Sequence, residues 1–265
     1  MHVTYSATQQ DSDVFQAGEE LLPLIQDTFD WLQSGFETHE PKGIVFHDWR
    51  SAKELFTGGP LPVWTSQGVI HLDPLVRDWE EIFRSTIKPE TDTNDPTGYF
   101  TSLNHLDIAA IAGGELTRHI AAFSDSFIDT RNDIQWFIEG FCSYLPRKRL
   151  LSPERFEALY LAEESLIYQH KKEWGAHPLW EYGAANRGKT AAEALYDRWR
   201  ASSTLRHLVE EAAEGDVQLV LKAYLYWKTE ARETMPLHRY LNLAFDCDIA
   251  GGQNQSEDDQ GKGQS

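Results

Sequence analysis

The sequence predicts an α+β fold, with a small mixed sheet and helices in the front part and a mainly helical lobe behind it. Three observations carry this. The runs that read as strands, Ile44-Val45-Phe46-His47, Pro62-Val63-Trp64-Thr65 and Val69-Ile70-His71-Leu72, all fall before residue 73. Beyond residue 102, apolar residues recur at helical spacing with few interruptions. Hydrophobic residues make up 41% of the 265 and aromatics 12%, with nine Trp, so a packed core is available.

Residues 1–13 are polar and read as a loose N-terminus; 14–250 read as one domain, divided into an α/β part (14–102) and a helical part (103–250). Val14 to Phe36 carries apolar residues at helical spacing, stopped by Gly35, and Pro23 is placed to open the main helix. Ser51 to Phe56 reads as a short helix, with Ser51 and Glu54 as a capping box. The second and third strands are joined through Ser66-Gln67-Gly68, and Asp73-Pro74 opens the stretch Leu75 to Ile87. Residues 88–98 are rich in breakers and read as a loop. Helices are then expected over Leu103–Phe127 and Asn132–Tyr144, the latter stopped by Pro146. Ser152 and Pro153 mark the cap and first position of the next, Pro153–Trp174. Lys189–Arg200, Leu205–Ala213, Asp216–Glu233 and Leu237–Phe245 complete the series, and residues 251–265, with no apolar side chain, read as a disordered tail.

Charge excludes several classes of function. With 42 acidic against 24 basic residues the net charge is −18, a poor match to phosphate backbones or anionic membrane surfaces. The sequence therefore predicts no nucleic-acid and no membrane partner. No apolar run approaches the roughly 18 residues of a membrane span, and Met1-His2-Val3-Thr4-Tyr5 lacks the features of a signal peptide. A cytoplasmic location is the expectation. The ten Lys are few beside the acids, a balance found in salt-loaded cytoplasm and in ordinary acidic proteins alike. Two cysteines, Cys142 and Cys247, provide neither a disulfide framework nor a zinc knuckle.

The most informative window is Gly113-Gly114-Glu115-Leu116-Thr117-Arg118-His119, followed by Trp136-Phe137-Ile138-Glu139-Gly140-Phe141-Cys142-Ser143-Tyr144. The second segment resembles the W-x-x-E-G-x-A-x-Y helix of the gluzincin (peptidase MA-like) zinc metallopeptidases, in which that Glu is the third zinc ligand. The first resembles their H-E-L-T-H helix with both histidines displaced. The resemblance covers roughly Ile44 to Tyr144 and implies a zincin-like α+β fold with a cleft between sheet and helical lobe. In such a motif two histidines four residues apart aim at one Zn²⁺, and the Glu between them is the general base. The zinc keeps a position for water and lowers its pKa to about 7.

Two registers fit the first segment. In one, Glu115 stands at the catalytic general base, while Gly114 and Arg118 stand where the histidines belong. Glycine has no donor and the guanidinium no lone pair, so Arg118 would pair with Glu139 where a metal would sit. In the other, shifted by one, Glu115 and His119 are an i, i+4 ligand pair and Glu139 the third metal ligand. The cofactor is then zinc or none, according to register.

Other residues have plainer readings. Glu115 and His119 also read as a solvated i, i+4 pair, and Glu139, among Trp136, Ile138 and Phe141, as a buried carboxylate needing a partner. His105 reads as the start of a helix with Asn104 as cap, and His47 and His71 as strand residues facing solvent or the sheet edge. Tyr168, His170, His177 and His238 are candidates for an oxyanion stabiliser that spacing does not separate. Residues 174–183 read as a loop held by aromatic anchors or as a cleft lining, Pro146-Arg147-Lys148-Arg149 as a solvated helix end, and Cys142 as a packed thiol. Asn186-Arg187-Gly188-Lys189-Thr190 lacks the spacing of a phosphate-binding loop.

The expected function is that of a metallopeptidase-like protein of gluzincin type without standard zinc peptidase activity. The alternatives are a non-catalytic binding protein on the same scaffold, with a peptide or protein ligand in the cleft, and an unrelated acidic helical adaptor. The sequence leaves the oligomeric state open.

Overall fold

Strands β1 (His2–Ser6), β2 (Gly43–His47), β3 (Val63–Ser66) and β4 (Val69–Leu72) form one sheet in the order β1-β2-β4-β3. The computed structural model describes residues 2–6, 12–50, 61–89, 96–124, 132–183 and 190–249. β1, β2 and β4 run parallel, while β3 pairs antiparallel with β4 and forms an edge. The β3–β4 hairpin closes through Gln67 and Gly68, with φ of 52° and 81°. Two positive φ values in a two-residue loop give the turn whose twist matches that of the strands.

Eight helices follow from the periodic segments: α1 (Ser12–Gly35), α2 (Val76–Arg84), α3 (His105–Thr117), α4 (Gln135–Leu150), α5 (Pro153–Trp174), α6 (Ala191–His207), α7 (Val217–Tyr226) and α8 (Leu237–Phe245). Short helical turns at Pro96–Thr101, Ala121–Ser124, Asn132–Ile134 and Leu179–Glu181 connect them. The sheet's inner face, Ile44, Phe46, Ile70 and Leu72, joins Leu21, Ile25 and Leu32 of α1 in one apolar core that continues through α3, α4 and the later helices. A small mixed sheet with a mainly helical remainder is thus the architecture, as the sequence predicts.

The differences have physical reasons. The N-terminus is not loose over residues 2–6, because β1 pairs with the outer edge of β2 from His2↔Gly43 to Ser6↔His47. Pro23 does not start α1 but lies inside it, on the solvent side, where the carbonyl it leaves unpaired can turn to water. The expected helix 103–127 stops at Thr117. There the chain reverses, held by His39 N–H to His119 O and Ala121 N–H to Glu37 O, both 2.8 Å. The segments 189–200 and 205–213 are one helix, α6, running on through a wider turn at Leu208–Ala212. Helix 51–56, the tail 251–265 and most of the 88–98 loop lie outside the described residues.

Caps fall where the sequence places them. Asn104 accepts from Leu106 N–H in a capping box with Asp107, with His105 as the first residue of α3, and Ser152 caps α5 with Pro153 behind it. His47 does not face solvent: it is buried, stacked with Trp64 and His71 on the outer sheet face at centroid distances of 4.9 and 5.3 Å.

Candidate functional site

The two motif segments lie side by side because glycines let their helices touch. A Cβ on Gly114 of α3 would sit 2.8 Å from the carbonyl oxygen of Cys142 in α4, and one on Gly113 only 2.5 Å from Pro146 Cβ. Neither distance is tolerable, so only glycine fits this crossing. Pro146 does not end α4, which continues to Leu150. Lacking an N–H, it frees the carbonyl four residues back, that of Cys142, and this is the carbonyl that Gly114 faces. On the opposite side, Gly140 allows α4 the same closeness to α6, since its Cβ would meet Ala201 O at 2.8 Å.

At the C-terminal end of α3, Arg118 turns its guanidinium toward α4 and binds Glu139 through both terminal nitrogens, at 2.5 and 2.7 Å. Its Nε donates to Glu115 Oε1 at 3.3 Å, while Thr65 of β3 donates to Glu115 Oε2 at 2.7 Å. Glu139 also accepts from Gln135 at 2.8 Å and pairs with Arg198 of α6 at 3.2 Å. Two carboxylates that are only 5% and 4% exposed (Glu115 and Glu139) are thus matched by two guanidiniums. Burial alone would raise the Glu139 carboxyl, but Arg118, Arg198 and Gln135 override it and hold it at about 2. The neighbouring Cys142 thiol is pushed up to about 12 by burial, so it is a packed group and no nucleophile.

The cluster opens onto a cleft of about 560 Å³ lined by Val63, Trp64 and Thr65 of β3, the Gln67-Gly68 turn, Glu115, Arg118, His119 and Arg198. Ser66↔Val69 closes the hairpin as the hydrogen-bonded pair. By antiparallel alternation Val63 and Thr65 therefore turn their N–H and C=O groups away from β4, to the side where no other described strand pairs.

The residues do not fit zinc in either register. In the first, Gly114 has no room for a Cβ and Arg118 offers no lone pair. The second expects Glu115, His119 and Glu139 to converge. They do not, because α3 ends before His119, whose N–H bonds Leu116 O in a reversing turn, and Arg118 stands between the two carboxylates. Among the described residues, the group whose ligand atoms come together is Asp48, Asp73 and Asp78, beside the other end of the sheet. Glu115, read as general base, has both oxygens engaged by Thr65 and Arg118.

The remaining candidates are placed elsewhere. Tyr168 is exposed; His170 bonds Thr86 O, His177 bonds Asp197, and His238 stacks on Trp180. The 174–183 loop is held as an anchored segment, through these contacts, Trp174 against Tyr196 and Gly183 N–H to Asp197. Tyr182, at its end, is raised by burial and by the charge of Glu139. Arg147 is not solvated: it binds Glu163 bidentately at 2.7 and 2.8 Å. Thr65, Gln135 and Arg198 are the site residues sequence reasoning misses. Gln135 sits four before Glu139 and Thr65 on the inward alternation of its strand, whereas Arg198 has no local signal.

The fold and site define a mixed α+β protein with a buried four-charge cluster under an edge-strand cleft, and among the described residues no helix is long and apolar enough to cross a membrane. No protein-family model, no curated protein and no solved structure matches the chain.

Proposed function

We propose that this is a metallopeptidase-like protein of gluzincin type that has no zinc chemistry, and that its cleft binds an extended peptide without cleaving it. The observation that carries the reading is the bidentate Arg118–Glu139 pair, a cation on the carboxylate that resembles the family's third zinc ligand. With the guanidinium there, no metal-bound water exists to attack a carbonyl, and Glu115 holds Arg118 and Thr65 in place instead of moving a proton. What the cleft retains is an edge strand with outward backbone groups at Val63 and Thr65, the arrangement that takes up an added strand. Trp64, a neighbouring cleft residue, gives such a strand an aromatic surface.

The test is metal content by mass spectrometry on protein purified without chelator or metal-affinity steps, beside incubation with a peptide library. The expected result is no stoichiometric metal, peptides bound and recovered intact, and binding lost when alternate peptide nitrogens are methylated. One zinc per chain, lost on Glu139→Ala, or metal-dependent cleavage, would overturn the proposal.

A further inference from the structure

At the far end of the sheet, three carboxylates gather where β2, β4 and α2 meet. Asp73 is fully buried and accepts the N–H groups of Trp49 and Leu75, each at 2.7 Å. Asp78, in the first turn of α2, is nearly as buried, and oxygens of Asp48, Asp73 and Asp78 all lie within 4.8 Å of one another. Among the described residues, the cations facing this group are Arg50 and Arg77. Arg50 reaches Asp78 at 3.4 Å but is 67% exposed and held more closely by Glu81 at 2.6 Å. Arg77 is engaged by Asp13 at 2.9 Å. Asp48 accepts from Arg50 N–H, and the buried ring of His47 is lowered to about 4 by burial and by His71, so it carries no charge here at neutral pH. Arg50 and Arg77 both act on Asp78, but each is about two-thirds exposed and shared with another carboxylate, too weak a pairing to hold two buried carboxylates ionised side by side.

We propose that Asp73 and Asp78 share one proton, and that this proton ties the end of β4 to the start of α2 as a pH-sensitive staple. The hydrogen bond it makes runs from one carboxyl to the other carboxylate, so Asp73 keeps its two backbone N–H partners. β4 is the strand on which the cleft edge β3 hangs, so loss of the proton loosens the wall of the cleft. Burial pushes the Asp73 carboxyl up to about 8 against the pull of its backbone donors, and burial likewise raises Asp78 against Arg50. Because the folded carboxyl binds its proton more tightly than the unfolded one, the staple is complete in acid. Its contribution declines as pH rises from the ordinary carboxyl range toward 8. This inference is independent of the reading of the cleft.

The experiment is urea unfolding of the full chain from pH 5 to 9.5 for wild type and Asp78→Asn. The amide of the variant donates to Asp73 permanently, whatever the pH. Between pH 5 and 7 the unfolding constant of wild type should rise about tenfold more per pH unit than that of the variant, the signature of one extra proton in the folded state. Equal slopes would overturn the proposal. Infrared spectra supply a readout that does not depend on the variant folding: a buried protonated-carboxyl band should be present in wild type at pH 6 and fade by pH 9.5. Its absence at pH 6 would overturn the proposal, as would Ca²⁺, Mg²⁺ or Mn²⁺ stabilising wild type at pH 6, since a cation would then replace the proton.

Discussion

Replacing Arg118 by Met removes a cation without removing much volume, and the cost can be worked from its contacts. Glu139 has three hydrogen-bond donors, two nitrogens of Arg118 and Gln135 at 2.8 Å, and an ion pair with Arg198 at 3.2 Å. Arg118→Met takes away the two from Arg118 and leaves the carboxylate buried. Breaking one side of a buried ion pair costs about 3–5 kcal/mol, and the surviving Arg198 and Gln135 place this case near the lower figure. A second route agrees. A carboxyl held at about 2 in place of 4.5 corresponds to roughly 3 kcal/mol of stabilisation, Arg198 included. The folded value is depressed, so that stability is complete above pH 4.5 and is lost as pH falls toward 2. Urea denaturation followed by circular dichroism, at pH 7 and stepwise to pH 2.5, reads both quantities. Arg118→Met should lose about 3 kcal/mol at neutral pH and show a shallower acid limb. The double variant Arg118→Met/Glu139→Met should cost less than Arg118→Met alone, because Glu139 no longer leaves a buried charge, Glu115 keeps its bond from Thr65, and Arg198 can turn to solvent. A loss under about 1 kcal/mol, or an unchanged acid limb, would refute the buried-pair account.

Two further predictions concern the same helix pair and its strand. Gly114→His, which restores a histidine to the first motif position, should destabilise by more than the roughly 1–3 kcal/mol of ordinary overpacking. Its Cβ meets Cys142 O at 2.8 Å, and titration calorimetry should find no zinc bound; a stoichiometric zinc heat would count against the close packing described. Thr65→Val removes the 2.7 Å bond to Glu115 and should cost about 1.5–3 kcal/mol in thermal or urea unfolding, as for a hydrogen bond to a charged group. A neutral result would mean that Glu115 finds another donor.

Much of the architecture was legible because it rests on local signals. The hairpin could be read from its alternation and the Gln67-Gly68 turn, and α5 from Ser152-Pro153. β1 was not legible, since a five-residue polar-flanked segment becomes a strand only by pairing with β2, forty-one residues away in register. The end of α3 at Thr117 was hidden too, because backbone bonds from Glu37 and His39 to residues of that turn fix it. In the site, Arg118 and Glu139 could be matched from motif positions, and the structure brings them together. Arg198 could not, as nothing near it in sequence marks an inward guanidinium. The shifted ligand set failed for a backbone reason: i, i+4 spacing brings two side chains together only while the helix lasts.

The contact of Gly113 and Gly114 with Cys142 and Pro146 also divides the molecule mechanically. With backbone against backbone and an ion pair across the seam, α3 and α4 form a stiff plate, and amides along it should be among the slowest to exchange with solvent. Any opening or closing of the cleft then falls to the β3–β4 hairpin that borders the plate. A ligand would meet a fixed floor and an adjustable wall.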